Sequence, residues 1–166
     1  MKRILAAVLA VFVTAGLLGA AVIWLQTGDS SVVDPRAIPA RASPAMQELL
    51  RSDAAGAAYL WWALSVAGVA ICAALWLFLA YRNPAATPGQ ARSSGLSWLL
   101  VLLLALVMFG LASWAFFANP TPAPDWRMSL VIGGAVALIV AWWLATALGV
   151  KPAVTPSVPL AFLVRR

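Results

Sequence analysis

Residues 57–81 read AAYLWWALSVAGVAICAALWLFLAY, twenty-five positions without an Asp, Glu, Lys, Arg or His. A helix rises about 1.5 Å per residue, so this run can cross the roughly 30 Å hydrocarbon core of a bilayer. Three further runs have the same character: 4–25, 96–118 and 128–150. The four together predict an all-α integral membrane protein with four transmembrane helices and short loops. Composition agrees, with 64% hydrophobic and 10% charged residues. A soluble domain has about a quarter of its residues charged.

Working outward from the spans, the chain divides into an N-terminal anchor (1–26), an outer loop (27–56), a three-helix region (57–150) and a tail (151–166). The first run follows Met1-Lys2-Arg3 and resembles a signal peptide, with Gly19-Ala20-Ala21 as a cleavage site. Its apolar stretch continues through Val22, Ile23, Trp24 and Leu25, longer than the 7–15 residues of a signal core. We read it as an uncleaved span.

Charge orients the helices. Lys2, Arg3, Arg82, Arg92, Lys151, Arg165 and Arg166 lie in segments without an acid. Asp29, Asp34, Glu48 and Asp53 fall in the first outer loop and Asp125 in the second, with Arg36, Arg41 and Arg51 diluting the contrast. By the positive-inside rule both termini are cytoplasmic. The expected location is a bacterial inner membrane. The basic residues do not form a patch with interleaved aromatics, so the charge of +6 does not predict nucleic-acid binding. The lipid bilayer is the expected partner for the basic ends.

Aromatic residues cluster at the run ends. Trp24, Tyr59, Trp61, Trp62, Trp114, Phe116, Phe117 and Trp126 map to the outer side, and Tyr81 and Trp98 to the inner side. An interfacial belt explains this pattern. Trp76, Trp142 and Trp143 sit deeper, facing lipid or a neighbouring helix.

The connecting segments carry turn chemistry. Residues 27–42 predict an extended connector. Ser43-Pro44 then starts a helix, with Ser as N-cap and Pro at the first position. Met46, Leu49 and Leu50 opposite Gln47, Glu48 and Arg51 suggest one short amphipathic helix on the outer surface. Residues 82–95 predict a flexible turn, and the prolines of 119–125 a stiff polyproline link. The tail is spaced by Pro152, Pro156 and Pro159 and ends in an apolar patch before Arg165-Arg166. That patch is expected to lie on the inner leaflet or in a partner groove.

Inside the spans, small residues mark packing seams. The expected contact residues are Gly68 and Cys72 in the second span, Gly134 and Ala141 in the fourth, and Leu160, Phe162 and Leu163 in the tail. Hydroxyls of Thr14, Ser65, Ser113, Ser129 and Thr146 are each expected to bond a carbonyl one turn back.

The chain has no histidine and one cysteine. That argues against His-ligated metals and His general-base catalysis, and it rules out an intrachain disulfide. The spans hold no carboxylate pair, and the outer acids have no catalytic spacing. No cofactor, metal or catalytic residue is expected. The function that remains is a non-catalytic accessory or scaffold subunit of a larger membrane complex for secretion, conjugation or transport. The alternative is a self-contained homo-oligomeric transporter or pore for neutral or apolar solutes.

Overall fold

A computed structural model describes residues 2–28, 30–82, 88–149 and 158–160. The described residues form four long helices and no strand: α1 (Lys2–Gln26), α2 (Pro44–Arg82), α3 (Pro88–Ala118) and α4 (Pro124–Gly149). Each is long and apolar enough to cross a membrane. The chain therefore fits a multi-pass membrane protein.

α2 is the hub. It packs against α1, α3 and α4, and α1 closes onto α4. At one end of the bundle Trp126 Nε1 of α4 donates to Gln26 Oε1 of α1 at 2.9 Å. At the other end Tyr81 OH of α2 donates to Gly149 O of α4 at 3.1 Å. Successive helices run antiparallel, so the start of α1 and the end of α4 share one end of the bundle.

The amphipathic surface helix expected after Ser43 is not a separate element. Its start is as expected: Ser43 Oγ accepts from Met46 N at 3.3 Å and Ser43 O from Gln47 N at 3.1 Å. The helix then runs unbroken to Arg82. Gly56 is the weakest helix former between Ser52 and Ala58. A single glycine costs only about 1 kcal/mol, too little to stop a helix that starts at a good cap and is packed over most of its length beyond Gly56. α2 has 39 residues against 26 in α4. With their C-terminal ends level, the excess projects from the opposite end by about 20 Å. Positions 44–49 of this arm are exposed.

The two connections at that end are knitted together. The segment expected to be extended carries two single turns of 3-10 helix, Ser30–Val32 and Pro35–Ala37, the second capped by Asp34 Oδ1 accepting from Arg36 N. Between them Val33 forms an antiparallel bridge with Pro122. Asp34 N donates to Thr121 O at 2.9 Å and Ala123 N to Val32 O at 2.8 Å. The link expected to be a stiff polyproline segment instead bends at Pro120 and Thr121, where Thr121 N donates to Asn119 Oδ1 at 3.0 Å, and pairs with the first connection only around Pro122.

At the other end, α3 begins at Pro88, so most of the turn expected over 82–95 is helical. Proline suits a first turn, where its missing N–H has no partner to lose. Residues 83–87 lie outside the described residues.

The aromatic belt accounts for only part of the indoles. Trp24 and Trp114 are 68% and 74% exposed, as a belt requires. Trp61, Trp62, Trp98, Phe116 and Trp126 are buried instead, and Trp76 and Trp142 fully so. A buried indole needs an acceptor for its N–H. Trp61 Nε1 donates to Ser113 Oγ at 3.1 Å, and Trp98 Nε1 to Thr146 Oγ1 at 3.1 Å. Trp62 Nε1 reaches Gly16 O at 3.0 Å. An indole satisfied inside the bundle gains nothing from a head group.

The hydroxyl expectation holds for Thr146, which donates to Trp142 O at 2.9 Å, and for Ser129, which donates to Trp126 O at 2.9 Å. Ser113 acts instead as the acceptor for Trp61. Ser65 Oγ is buried without a hydrogen-bond partner, as are Trp76 Nε1 and Trp142 Nε1.

Candidate functional site: a lateral groove between α1 and α4

The site starts from two adjacent indoles. Trp61 and Trp62 follow each other on α2, so they point about 100° apart, one toward α3 and one toward α1. Trp61 stacks on Phe116 at 5.3 Å and meets Phe109 at 5.9 Å, both on α3. Trp62 lies against α1 at Gly19.

Glycine makes room for both rings. A Cβ on Gly19 would fall inside contact distance of Trp62 Cε2, Nε1 and Cζ2. A Cβ on Gly134 would sit 2.8 Å from Trp61 Cη2 and 3.2 Å from Trp62 Cζ3. At Gly133, the next residue, a Cβ would meet nothing within 4 Å. Gly134 therefore faces the indoles while Gly133 faces open space.

That space is a groove of about 520 Å³. Its floor is Trp61 and Trp62. Its walls run from Val11 to Gln26 on α1 and from Ser129 to Leu144 on α4. The lining is apolar except for Thr14, Gln26 and Ser129. Gln26 lines one end, its amide oxygen accepting from Trp126 Nε1. Thr14, Leu18, Gly133 and Ala137 are exposed along the groove, which opens sideways from the bundle.

The residues expected to make contacts separate into three places. Gly134 and Ala141 come together on the α4 wall, both buried. Gly68 and Cys72 are buried one turn apart on α2, and a Cβ on Gly68 would lie 3.4 Å from Met108 Cβ of α3. These seams are filled by helices of the same chain. Leu160 is exposed and has a positive φ of 58°. Phe162 and Leu163 lie outside the described residues. Just before Leu160 the tail folds back on its own chain: Val158 is buried and Pro159 O accepts from Trp143 Nε1 at 2.7 Å.

Arg127 is a residue that the charge pattern passes over. It is 7% exposed, in the first turn and a half of α4. Its Nη1 donates to Phe117 O at 2.8 Å and to Asn119 O, and its guanidinium lies 5.6 Å from the Phe117 ring centre. Arg127 thereby caps the carbonyl end of α3, where the helix dipole favours a cation. The sequence signal is an arginine shortly after an Asn-Pro helix stop.

Among the described residues no group of three or more His, Cys, Asp or Glu is placed to hold a metal ion. Comparisons with protein-family models, with characterised proteins and with solved structures gave no match.

Proposed function

We propose that this protein is a non-catalytic scaffold subunit of a larger assembly in a bacterial inner membrane, with both chain ends in the cytoplasm. The observation that carries this reading is the projecting arm of α2. Positions 44–49 extend the longest helix beyond the bundle, and Met46 and Leu49 are 43% and 62% exposed on it. The arm is an extension of a helix packed on three others, so it is held rigidly. A rigid helix with an apolar stripe is a recurring form for docking into a partner's groove. The orientation rests on the basic residues in the sequence segments that flank the start of α1, the α2–α3 connection and the end of α4.

The test is native mass after mild extraction from the source membrane, for the wild type and for Met46→Asp/Leu49→Asp. Both positions are exposed, so the double variant is expected to fold as the wild type does. Stoichiometric unrelated chains should accompany the wild type and fall by roughly tenfold or more with the variant, as hot-spot apolar contacts predict. A wild-type protein that purifies alone would overturn the subunit reading.

A pore within one chain is disfavoured by the packed indoles of Trp61, Trp62, Trp76, Trp98 and Trp142 in the bundle interior. A homo-oligomeric pore would show as a single species by native mass and as solute flux in vesicles of this protein alone.

A further inference from the structure

We infer that the turn at 158–160 is the tip of a re-entrant segment, held by Trp143 inside the hydrocarbon of the leaflet at the Gly149 end of the bundle. The inference rests on the membrane-embedded reading of the four helices, and not on the scaffold role or on which side is cytoplasmic.

Depth follows from one hydrogen bond. Pro159 O accepts from Trp143 Nε1 at 2.7 Å. Trp143 precedes Gly149, the last residue of α4, by about 9 Å along the helix axis. α4 has 26 residues and is about 39 Å long, roughly 9 Å more than the hydrocarbon core. Were all of that excess at the Gly149 end, Trp143 would stand at the hydrocarbon boundary. With the excess shared between the ends, it stands about 4–5 Å inside. The turn bonded to it has therefore come back into the apolar layer after α4 has ended.

The sequence, the backbone and the tip residue each fit a turn in hydrocarbon. Residues 152–164, PAVTPSVPLAFLV, carry no charge and lie between Lys151 and Arg165. An apolar stretch of about 10–14 residues is too short to span and suits a segment that enters and leaves on one side. Irregular backbone at membrane depth is tolerated only where it rests on protein and its polar groups are met. Val158 is 3% exposed, Pro159 has no N–H to satisfy, and its carbonyl is met by the indole. Leu160 has a φ of 58°, a conformation that turns ordinarily give to Gly or Asn. Its side chain is 58% exposed, so protein contacts alone do not account for a leucine there. In water such a side chain offsets none of the backbone strain. In hydrocarbon its apolar surface has left water. A tail presented to a partner's groove would have to give up the bond to Trp143.

The test uses the full purified chain in phosphatidylcholine vesicles, with the buried Cys72 replaced by Ala and a nitroxide on Leu160→Cys. Collision rates with oxygen, which concentrates in hydrocarbon, and with a polar nickel complex, which stays in water, report the label's depth. Reference labels on Leu103→Cys and Gln47→Cys sample an exposed mid-span face and the exposed arm. The oxygen-to-nickel ratio at 160 should exceed that at 47 by roughly tenfold or more, because hydrocarbon excludes a polar solute. Trp143→Phe removes the donor and keeps an aromatic ring. Nickel collisions at 160 should then rise by roughly fivefold, as loss of one hydrogen bond predicts. A ratio at 160 equal to that at 47 would put the tip in water and overturn the inference. Low collision rates with both reagents would bury the tip in protein, of this chain or another, and overturn it as well. Unchanged collisions in Trp143→Phe would overturn the assignment of Trp143 as the tether. Amide exchange of the unsubstituted chain in the same vesicles needs no variant to fold. The peptide containing Leu160 should exchange at least roughly tenfold more slowly than the same peptide free in water, and exchange at the free rate would overturn the inference. If the protein fails to float with the vesicles, the membrane reading falls and this inference with it; a floating protein with its tip in water loses this inference alone.

Discussion

Gly19→Ala should destabilise the protein more than the same change at Gly16, Gly56, Gly68, Gly110, Gly133 or Gly134. The new Cβ would occupy space already filled by three atoms of the Trp62 ring. That ring cannot swing away freely, because its Nε1 is tied to Gly16 O at 3.0 Å and its edge faces Gly134. Overpacking of this kind costs about 1–3 kcal/mol. Loss of the indole hydrogen bond would add about 1 kcal/mol. Gly134→Ala should be milder, because the nearest atom, Trp61 Cη2, is 2.8 Å away at the tip of a ring. Gly133→Ala meets no atom and replaces a helical glycine, so it should be neutral or stabilise by about 0.5–1 kcal/mol. The three are compared by their unfolding midpoints in one detergent, with indole fluorescence as the probe. Equal midpoints for Gly19→Ala and Gly133→Ala would sink the argument. A smaller residue at position 62 tests the cause: Trp62→Leu should make the Gly19→Ala change nearly harmless, a coupling of at least about 1 kcal/mol in a double-mutant cycle.

This contact also shows what a sequence of this kind reveals and what it hides. The four helices were legible because an uncharged run of this length has few other folded destinations. The Ser43-Pro44 start was legible because capping is local chemistry. The burial pattern was not. These helices are apolar all round, so no stripe separates a core face from a lipid face. Lipid is as apolar as a leucine core, and packing is decided by shape instead. Trp61 and Trp62 look like belt residues by position alone, and Gly19 looks like part of a cleavage site.

One signal was present in the sequence all the same. Counted inward from the outer ends of their runs, Gly19, Trp62 and Gly134 lie six, five and six residues deep. A large ring at the same depth as two glycines on neighbouring antiparallel helices predicts a seat for that ring. Depth matching uses only run ends and residue size, so it can be read without a structure. The length of α2 beyond the bundle has no such signal. It depends on Tyr81 and Gly149 being level, which is a tertiary fact. The contact between Val33 and Pro122 is tertiary in the same way.

Arg127→Ala is expected to loosen the whole outer end of the bundle. The substitution removes the Nη1 group that donates to Phe117 O, in the last turn of α3, and to Asn119 O, just beyond the helix. Hydrogen bonds from a charged donor contribute about 1.5–3 kcal/mol each, and the ring contact with Phe117 about 0.5–2 kcal/mol. Part of this is offset, because the buried Arg127 Nε has no partner and its desolvation cost disappears with the side chain. A net loss of roughly 3 kcal/mol follows. The loss should also be local. Asn119 anchors Thr121 through Oδ1 at 3.0 Å, and Thr121 O in turn receives Asp34 N. Freeing the end of α3 should therefore speed amide exchange at Asp34 and Ala123 as well as at Thr121. Arg127→Lys keeps a cation that can donate to a carbonyl but loses the planar guanidinium over the Phe117 ring, so it should fall between wild type and alanine. Arg36→Ala, with its side chain exposed, should change neither midpoint nor exchange. If Arg127→Ala matched Arg36→Ala in both measurements, Arg127 would be one more positive charge on the outer side and not a cap. The outcome bears on topology too. An arginine held by carbonyls at the end of α3 is placed by local bonding, so its position does not count against the proposed orientation.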